Sequence, residues 1–342
     1  MTHNPYGGWP PPGWTPPPAV PEPQPVAAVE YHQIHRTGTW GPNGWWRPLV
    51  GLIVAVVGFL LIQVALTVGF LVVMLLNGVD SSTAQDRLTD TAHVTPTFLA
   101  FLNLSLAGAI PACMLVQRLF HGLRPGWLSS VVPRLRWGWL LACLGLSFVA
   151  LIATVVVSAL LPATTDASDT TGDLNAWSTT IRDFLIVIVL LTPLQAAGEE
   201  YAFRGYLTQG VGGLFAPLGP QWSRAMAVFI PAVLFALAHG AQDAPIFVDR
   251  LAFGLVAGVL VIATGGLEAG IAMHVLNNFL AYGVALAYSD MTTALNPGDG
   301  SWWQLPVTLT QSLTYLGVVT WTARRFGLAT TTSELEGPPR RV

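Results

Sequence analysis

The chain consists of long apolar stretches separated by short polar segments. Eight of these stretches approach the length of about 20 helical residues that crossing a bilayer requires. Their length and composition predict an all-α fold, a polytopic transmembrane helix bundle of about eight spans. The predicted spans are Leu49–Leu76, Thr97–Leu119, Trp139–Leu161, Phe184–Phe203, Ala225–His239, Phe247–Ala263, Leu267–Tyr288 and Leu305–Trp321.

The two ends of the chain depart from this pattern. Residues 1–45 are rich in Pro, Gly and Trp, a composition that cannot bury a core and that favours polyproline II structure. We predict a disordered cytoplasmic tail there, either simply solvated or serving as a binding segment for a partner, and no cleaved signal peptide. The transmembrane domain is expected over residues 46–325, and residues 326–342 are expected to form a C-terminal cytoplasmic tail.

Arginine supplies all 15 positive side chains, and its distribution predicts the orientation of the bundle. Twelve arginines fall on one side of the predicted spans and three on the other, so the positive-inside rule places both termini in the cytoplasm. With 52 % hydrophobic and 10 % charged residues, the chain is expected to be integral to a bacterial cell membrane, surrounded by the lipid bilayer. No basic patch interleaved with aromatic residues points to a nucleic-acid partner.

Two adjacent acids, Glu199 and Glu200, directly follow the apolar run of the fourth predicted span. Charge at that depth is costly and is retained mostly for function or for pairing. On a helix, Glu200 and Arg204 are four residues apart on one face, whereas Glu199 is rotated by about 100°. We therefore predict that Arg204 neutralises Glu200 as a supporting pair and leaves Glu199 free. The alternative is a pair of interfacial acids that caps a helix end.

Three more polar side chains interrupt apolar helices further along the chain. His239 ends the fifth predicted span, and His274 and Asn278 lie four residues apart on one face of the seventh. Each of them alone is also explained by packing between helices. Together with Glu199 they suit the hydrolysis of a carbonyl compound, in which a carboxylate activates water and imidazole and amide groups assist.

The same side chains also allow a metal site. Glu199, His239 and His274 would supply three protein ligands and leave a fourth position open for water, as in catalytic zinc centres. The sequence contains no His-Glu-x-x-His, so the zincin arrangement is absent. Zinc is therefore an open alternative to a carboxylate that activates water unaided.

The polar residues form three ordered motifs, Glu199-Glu200-x-x-x-Arg204, Phe235-x-x-x-His239 and His274-x-x-x-Asn278. Their order, spacing and placement on successive apolar helices resemble the signature of the CPBP family, the CAAX prenyl protease and bacteriocin-processing proteins, also called the Abi family. The resemblance covers about residues 180–288. It implies an intramembrane endopeptidase that acts on a membrane-associated peptide or protein and whose catalytic cavity opens to the cytoplasm.

The resemblance also implies a role for each matching residue. Glu199 would be the base that activates water, with His239 assisting. His274 and Asn278 would stabilise the oxyanion. Members of the family are named metalloproteases, although the motifs fit a water activated by glutamate equally well.

Two other classes of function would use the same polar cluster. A catalytically idle membrane partner or immunity protein would retain the cluster for folding or binding. An ion-coupled transporter would use the acids and imidazoles as a proton or cation pathway. The sequence lacks the internal symmetry common in transporters.

The predicted spans leave one geometric difficulty. They place Glu199 near the inner end of the fourth span and His239 near the outer end of the fifth, too far apart to cooperate. Non-helical backbone is tolerated in membrane proteins where it lines a cavity. We therefore expect the two residues to meet through kinks or displaced helix boundaries at Pro193, Pro217, Pro231 or Gly240.

Overall fold

A computed structural model of the chain describes residues 28–37, 44–160, 173–240, 243–296 and 300–332. Within these ranges the chain is helical, and the only β-structure is two isolated bridges. The prediction of an all-α bundle is confirmed. The helices are α1 (Arg47–Leu76), α2 (Ser81–Thr89), α3 (Pro96–Ala107), α4 (Ala109–His121), α5 (Trp137–Leu160), α6 (Thr179–Glu200), α7 (Thr208–Phe215), α8 (Pro220–Ala238), α9 (Ala244–Thr264), α10 (Glu268–Tyr288), α11 (Met291–Leu295) and α12 (Gln304–Arg325).

Seven helical segments among the described residues are long and apolar enough to cross a membrane. They are α1, the pair α3–α4, α5, the run from α6 to Leu218, α8, α9 and α10. The eighth predicted span forms α12, a helix of 22 residues whose many hydroxyl side chains make it less apolar than the others. All eight predicted runs are therefore helical, and α12 packs against α5 and α9 as the last long helix of the bundle.

The two ends of the described chain lie side by side. The Val29 N–H donates to Thr332 Oγ1 at 2.9 Å, and the Thr332 N–H donates to the Val29 carbonyl at 2.9 Å. Glu30 and Thr331 form an antiparallel bridge between them. Because both ends lie on one side of the bundle, the number of crossings between them is even, which favours eight crossings with α12 as the last.

The prediction of a disordered tail over residues 1–45 is wrong for residues 28–37. Tyr31–Thr37 form a 3-10 helix that packs on α7, and the side chains of Tyr31 and Ile34 are fully buried. In α7, a Cβ atom at Gly212 would collide with the His32 carbonyl oxygen, so glycine permits this close approach. The abundance of proline before this segment hid its buried positions. Residues 1–27 and 38–43 lie outside the described residues.

The predicted C-terminal tail likewise begins as packed structure, since residues 329–332 contact the bundle. At this end Arg136 donates two hydrogen bonds to the carboxylate of Glu268, with nitrogen–oxygen distances of 2.9 and 2.7 Å. It also donates to the carbonyls of Thr264 and Ala329 at 3.0 and 3.1 Å. One arginine thus joins the start of α5, the end of α9, the start of α10 and the C-terminal segment.

Stacked imidazoles hold the 3-10 segment against α4. The rings of His35 and His121 lie 3.9 Å apart and within 13° of parallel. His35 Nε2 is 2.7 Å from the amide oxygen of Gln117 and therefore donates to it. His121 Nε2 is 3.1 Å from the Tyr206 hydroxyl, so the contact continues to the helical run that carries the two acids.

We expect acidification to loosen the 3-10 segment. Burial lowers the pKa of His32 to about 4, and burial with the neighbouring His121 holds the pKa of His35 well below its usual value. The released segment binds protons more readily, so docking is fully stabilised above the ordinary pKa of about 6.5 and weakens as pH falls below it. Amide hydrogen exchange of residues 31–37, corrected for intrinsic rates, should therefore be faster at about pH 5 than at about pH 7.5.

His32→Leu should reduce this acid-induced increase in exchange. His93→Leu, which removes an exposed imidazole elsewhere, is the matched control and should leave the increase unchanged. Corrected exchange rates that are the same at both pH values in the wild type would contradict the role of the histidines.

Candidate active site

The two acids lie within one helical run of 40 residues, Thr179–Leu218. In this run α6 ends at Glu200, a π-helical turn covers Tyr201–Leu207, and α7 follows. The prediction that the fourth span ends near Phe203 is wrong, because the helical run continues to Leu218 and Arg204 is buried inside it. π-Helical turns are rare and are frequent at functional sites, and this one begins directly after the acids.

The reversal at Gly219, whose φ is +103°, brings Glu199 and His239 to the same level. Glu199 precedes the glycine by 20 residues and His239 follows it by 20 residues. The two arms pack along each other through α7, the π-helical turn and α8. The predicted difficulty is thus resolved by the longer fourth helix, whereas Pro193 and Pro231 lie inside continuous helices.

Glu200 and Arg204 form a buried ion pair. Arg204 Nη1 donates to Glu200 Oε1 at 2.9 Å, which is the pairing that the i,i+4 spacing predicts. The exposed fractions of the two side chains are 0 % and 1 %, so neither charge reaches solvent. Arg204 Cζ also lies 4.2 Å from the ring centroid of Phe235 and 5.9 Å from that of Phe253. These cation–π contacts add to the stabilisation of the desolvated guanidinium.

His274 of α10 lies between the two acids. Its Nδ1 is 3.0 Å from Glu200 Oε1, and its Nε2 is 3.7 Å from Glu199 Oε2. A carboxylate only accepts hydrogen bonds, so Nδ1 carries a proton and donates to Glu200. Gly270, one turn earlier on α10, permits this approach, since a Cβ atom there would lie 2.7 Å from Glu200 Oε2.

Glu199 has partners, contrary to the prediction that it is free. Gln195, one turn earlier on α6, donates from Nε2 to Glu199 Oε1. Asn278 in turn donates from Nδ2 to Gln195 Oε1 at 2.8 Å. The other oxygen of Glu199 faces His274 at a distance too long for a hydrogen bond. Glu199 is therefore oriented by an amide, whereas Glu200 is hydrogen-bonded to a cation.

His239, at the end of α8, has one ring nitrogen engaged. Its Nδ1 lies 2.8 Å from the Phe235 carbonyl oxygen. That oxygen can only accept, so Nδ1 carries the proton and Nε2 holds a lone pair in the neutral ring. The structure thus fixes the tautomer that can accept a hydrogen bond or a proton at Nε2.

A cavity of about 570 Å³ adjoins Glu199 and His239. Its walls come from α1, α3, α4, the π-helical turn and α8, and the side chains that line it are mostly apolar. Glu199 supplies the single carboxylate and His239 the single imidazole of the lining. Since α1 packs chiefly on α3 and α4, and α8 on α7 and α9, the cavity separates α1 from α8.

The predicted metal ligands Glu199, His239 and His274 do not converge as a ligand set. In the part of the chain that the structure describes, no three His, Cys, Asp or Glu side chains are placed to hold a metal ion. The Nδ1 atoms of His239 and His274 contact Phe235 and Glu200, so each imidazole has only Nε2 left as a donor. Zinc binding at these residues stays a prediction, because the described side chains do not bring three donors to one point.

Sequence reasoning missed part of this site. The helical segments bring together the six residues predicted from sequence, but Gln195 and the aromatic rings around Arg204 were assigned no role. Gln195 had a signal, since it is polar and one turn before Glu199 in an apolar run. Phe253 had no such signal, because the sequence of an apolar helix does not indicate which apolar residue contacts Arg204. The predicted residues are Glu199, Glu200, Arg204, His239, His274 and Asn278.

The fold and the site are those of an integral membrane helix bundle with a buried group of acids, imidazoles and amides. The family model described as "Type II CAAX prenyl endopeptidase Rce1-like" matches residues 181–280, from α6 to α10. All six predicted site residues lie in that segment, and the match confirms there the resemblance predicted from the motifs.

Beyond the family segment, the chain is similar to the uncharacterized protein YyaK of Bacillus subtilis (strain 168). The two are 23 % identical over 303 residues, which cover 82 % of this chain and 93 % of the relative. The similarity extends to the helices before residue 181, although the relative carries no assigned activity. No solved structure matches the chain.

We expect Glu200→Gln and Arg204→Ala to reduce the amount of folded protein, because each leaves a buried charge unpaired at a cost of about 3–5 kcal/mol. Glu199→Gln should leave the folded amount near the wild-type level, since no cation depends on Glu199 for a hydrogen bond. Size-exclusion chromatography of detergent-extracted protein measures the folded fraction.

The double variant Glu200→Gln/Arg204→Met is the control for this prediction. It removes both charges and should recover part of the loss seen in the single variants. An equal loss of folded protein in all three single variants would show that the two acids do not have different roles.

Proposed function

We propose that the protein is an intramembrane endopeptidase that hydrolyses a peptide bond with a water molecule activated by Glu199. The observation that carries the proposal is an oriented, partly buried acid beside an imidazole of fixed tautomer at an apolar cavity. The match of this same segment to an endopeptidase family supports it. Glu199, His239, His274 and Asn278 are assigned as catalytic residues, and Glu200 with Arg204 as their positioning pair.

In the first step, Glu199 Oε2 takes a proton from water while the water oxygen attacks the scissile carbonyl carbon. Gln195 keeps the other carboxylate oxygen oriented, which leaves Oε2 for the water. His239 Nε2 accepts a hydrogen bond from the same water and so aligns it. Water is a poor nucleophile at neutral pH, and removing its proton during attack lowers the barrier.

The carbonyl oxygen becomes an oxyanion that requires hydrogen-bond donors. Asn278 uses one amide N–H on Gln195 and retains a second. His274 already donates from Nδ1 to Glu200, so it serves the oxyanion as an imidazolium that donates from Nε2, the nitrogen that faces Glu199. We assign these two groups to the oxyanion. As the intermediate collapses, the proton held by Glu199 passes to the leaving amine, which restores the carboxylate and releases both peptide products.

The cavity indicates the class of substrate. A site with apolar walls and one acid beside one imidazole favours a substrate that brings its own apolar group, such as a prenylated or otherwise membrane-tethered peptide. Because α1 and α8 line the cavity from different sides, such a group would enter between them from the surrounding lipid. The scissile bond would then lie where the apolar wall meets Glu199 and His239.

Cleavage of a fluorogenic membrane-tethered or prenylated peptide by the purified protein in liposomes tests the proposal. We expect Glu199→Gln and His239→Ala to lower the rate by about 100-fold or more, because each removes a group that moves or aligns the reacting proton. His93→Ala, at an exposed site and matched for expression, should retain the wild-type rate.

The outcomes separate the three classes of function. If the wild-type protein cleaves no peptide faster than the two variants do, hydrolysis is contradicted and a binding or immunity role for the cluster is favoured. Ion flux in the same liposomes that both variants abolish, without cleavage, would favour a transporter.

We expect cleavage to persist after exhaustive chelation, because the described donors do not form a three-ligand metal site. The measurement is the rate before and after treatment with a strong chelator, together with the zinc content of the active protein. A loss of activity that zinc alone restores would overturn this expectation and assign Glu199, His239 and His274 as ligands.

A further inference from the structure

A groove of about 630 Å³ lies away from the active site, at the end of the bundle where the chain ends meet. Val259 of α9 forms part of its floor. Arg224 and Val228 of α8 form one wall, and Arg324 of α12 lies on the other. Residues of the C-terminal segment between 327 and 331 line its outer end.

The directions of the helices give this groove a charged outer half and an apolar inner half. Because α8 runs away from the chain ends, Val228 lies one turn, about 6 Å, deeper than Arg224. Because α9 and α12 run toward the chain ends, Val259 lies one turn deeper than Ala263, and Arg324 lies at the outer level. Charge and apolar surface are therefore layered as in a phospholipid.

Two tryptophans mark the depth of the arginines. Trp222 and Trp321 are 58 % and 67 % exposed on the same two helices, and they precede Arg224 and Arg324 by two and three residues. Exposed tryptophan is enriched at the headgroup level of membranes, where its ring and N–H face apolar and wet surroundings. The two guanidinium groups thus lie at the level of lipid phosphates.

The outer half of the groove carries a net positive charge. Arg224 Nη2 contacts Glu30 Oε1 at 2.6 Å, and this half-exposed pair leaves its other N–H groups available. Arg324 makes no ion pair within the described part of the chain. Guanidinium groups match phosphate oxygens with two parallel hydrogen bonds.

We propose that this groove binds an anionic phospholipid. Its phosphate lies between Arg224 and Arg324, and an acyl chain follows α9 across Val228 and Val259. A free phosphate would use only the outer half, whereas the continuous apolar half requires a ligand with a hydrocarbon chain. The bound lipid would join α8 to α12 beside the bridge between the chain ends.

Native mass spectrometry of the delipidated full chain in detergent tests this assignment. Wild-type protein should bind phosphatidylglycerol about tenfold more tightly than phosphatidylcholine, and Arg224→Gln/Arg324→Gln should weaken phosphatidylglycerol binding about tenfold. Arg325→Gln, which removes the same charge one residue outside the groove, should change binding less than about twofold. Val259→Trp, which fills the apolar half, should also weaken lipid binding. Glycerol phosphate, which has no acyl chain, should bind to the wild-type protein no better than inorganic phosphate does.

Several results would overturn the assignment. Equal affinity for the two lipids, or equal effects of the groove variants and Arg325→Gln, would show that binding is nonspecific. Glycerol phosphate that binds as tightly as the lipid would identify a phosphate site without an acyl chain. Lipid binding that requires removal of residues 333–342, which contain Glu334 and Glu336, would assign the groove to the chain's own acidic segment.

Discussion

The buried ion pair of Glu200 and Arg204 is the interaction on which the rest of the site depends. A carboxylate this far from solvent is tolerated only with a cation and further hydrogen bonds, and Arg204 and His274 supply them. Arg204 is held in turn by the ring of Phe235, which lies four residues before His239. The requirement to neutralise one charge thus fixes α8 and α10 against α6, and with them the groups that surround Glu199.

The sequence predicted much of this arrangement because it depends on local geometry. Helical spacing alone placed Glu200 with Arg204 and put His274 and Asn278 on one face. Hydropathy likewise predicted the helical runs, since an apolar segment of about 20 residues in a membrane satisfies its backbone hydrogen bonds by forming a helix. Both inferences need only the period of a helix and the cost of unpaired polar groups in lipid.

What the sequence did not predict depends on contacts between distant segments. The predicted fourth span stopped just before Arg204, and only the burial of Arg204 against Phe235 and Phe253 shows why the helix continues. Residues 28–37 looked like the rest of a proline-rich tail until α7 and α4 were seen to cover them. Gln195 was assigned no role from the sequence, because its link between Glu199 and Asn278 exists only where α6 meets α10. In each case the deciding partner is remote in sequence and has no fixed spacing.

The equal arms on either side of Gly219 restrict how this chain can change its length. Inserting one residue anywhere between Glu199 and the turn would rotate the acid by about 100° away from His239 and shift it along the axis by about 1.5 Å. An insertion of a whole turn would keep the face but would place the two groups at different depths. The interval from Glu199 to His239 therefore tolerates substitution far better than insertion or deletion, unlike the surface loops that join the other helices. The number of residues in this interval sets the relative position of Glu199 and His239.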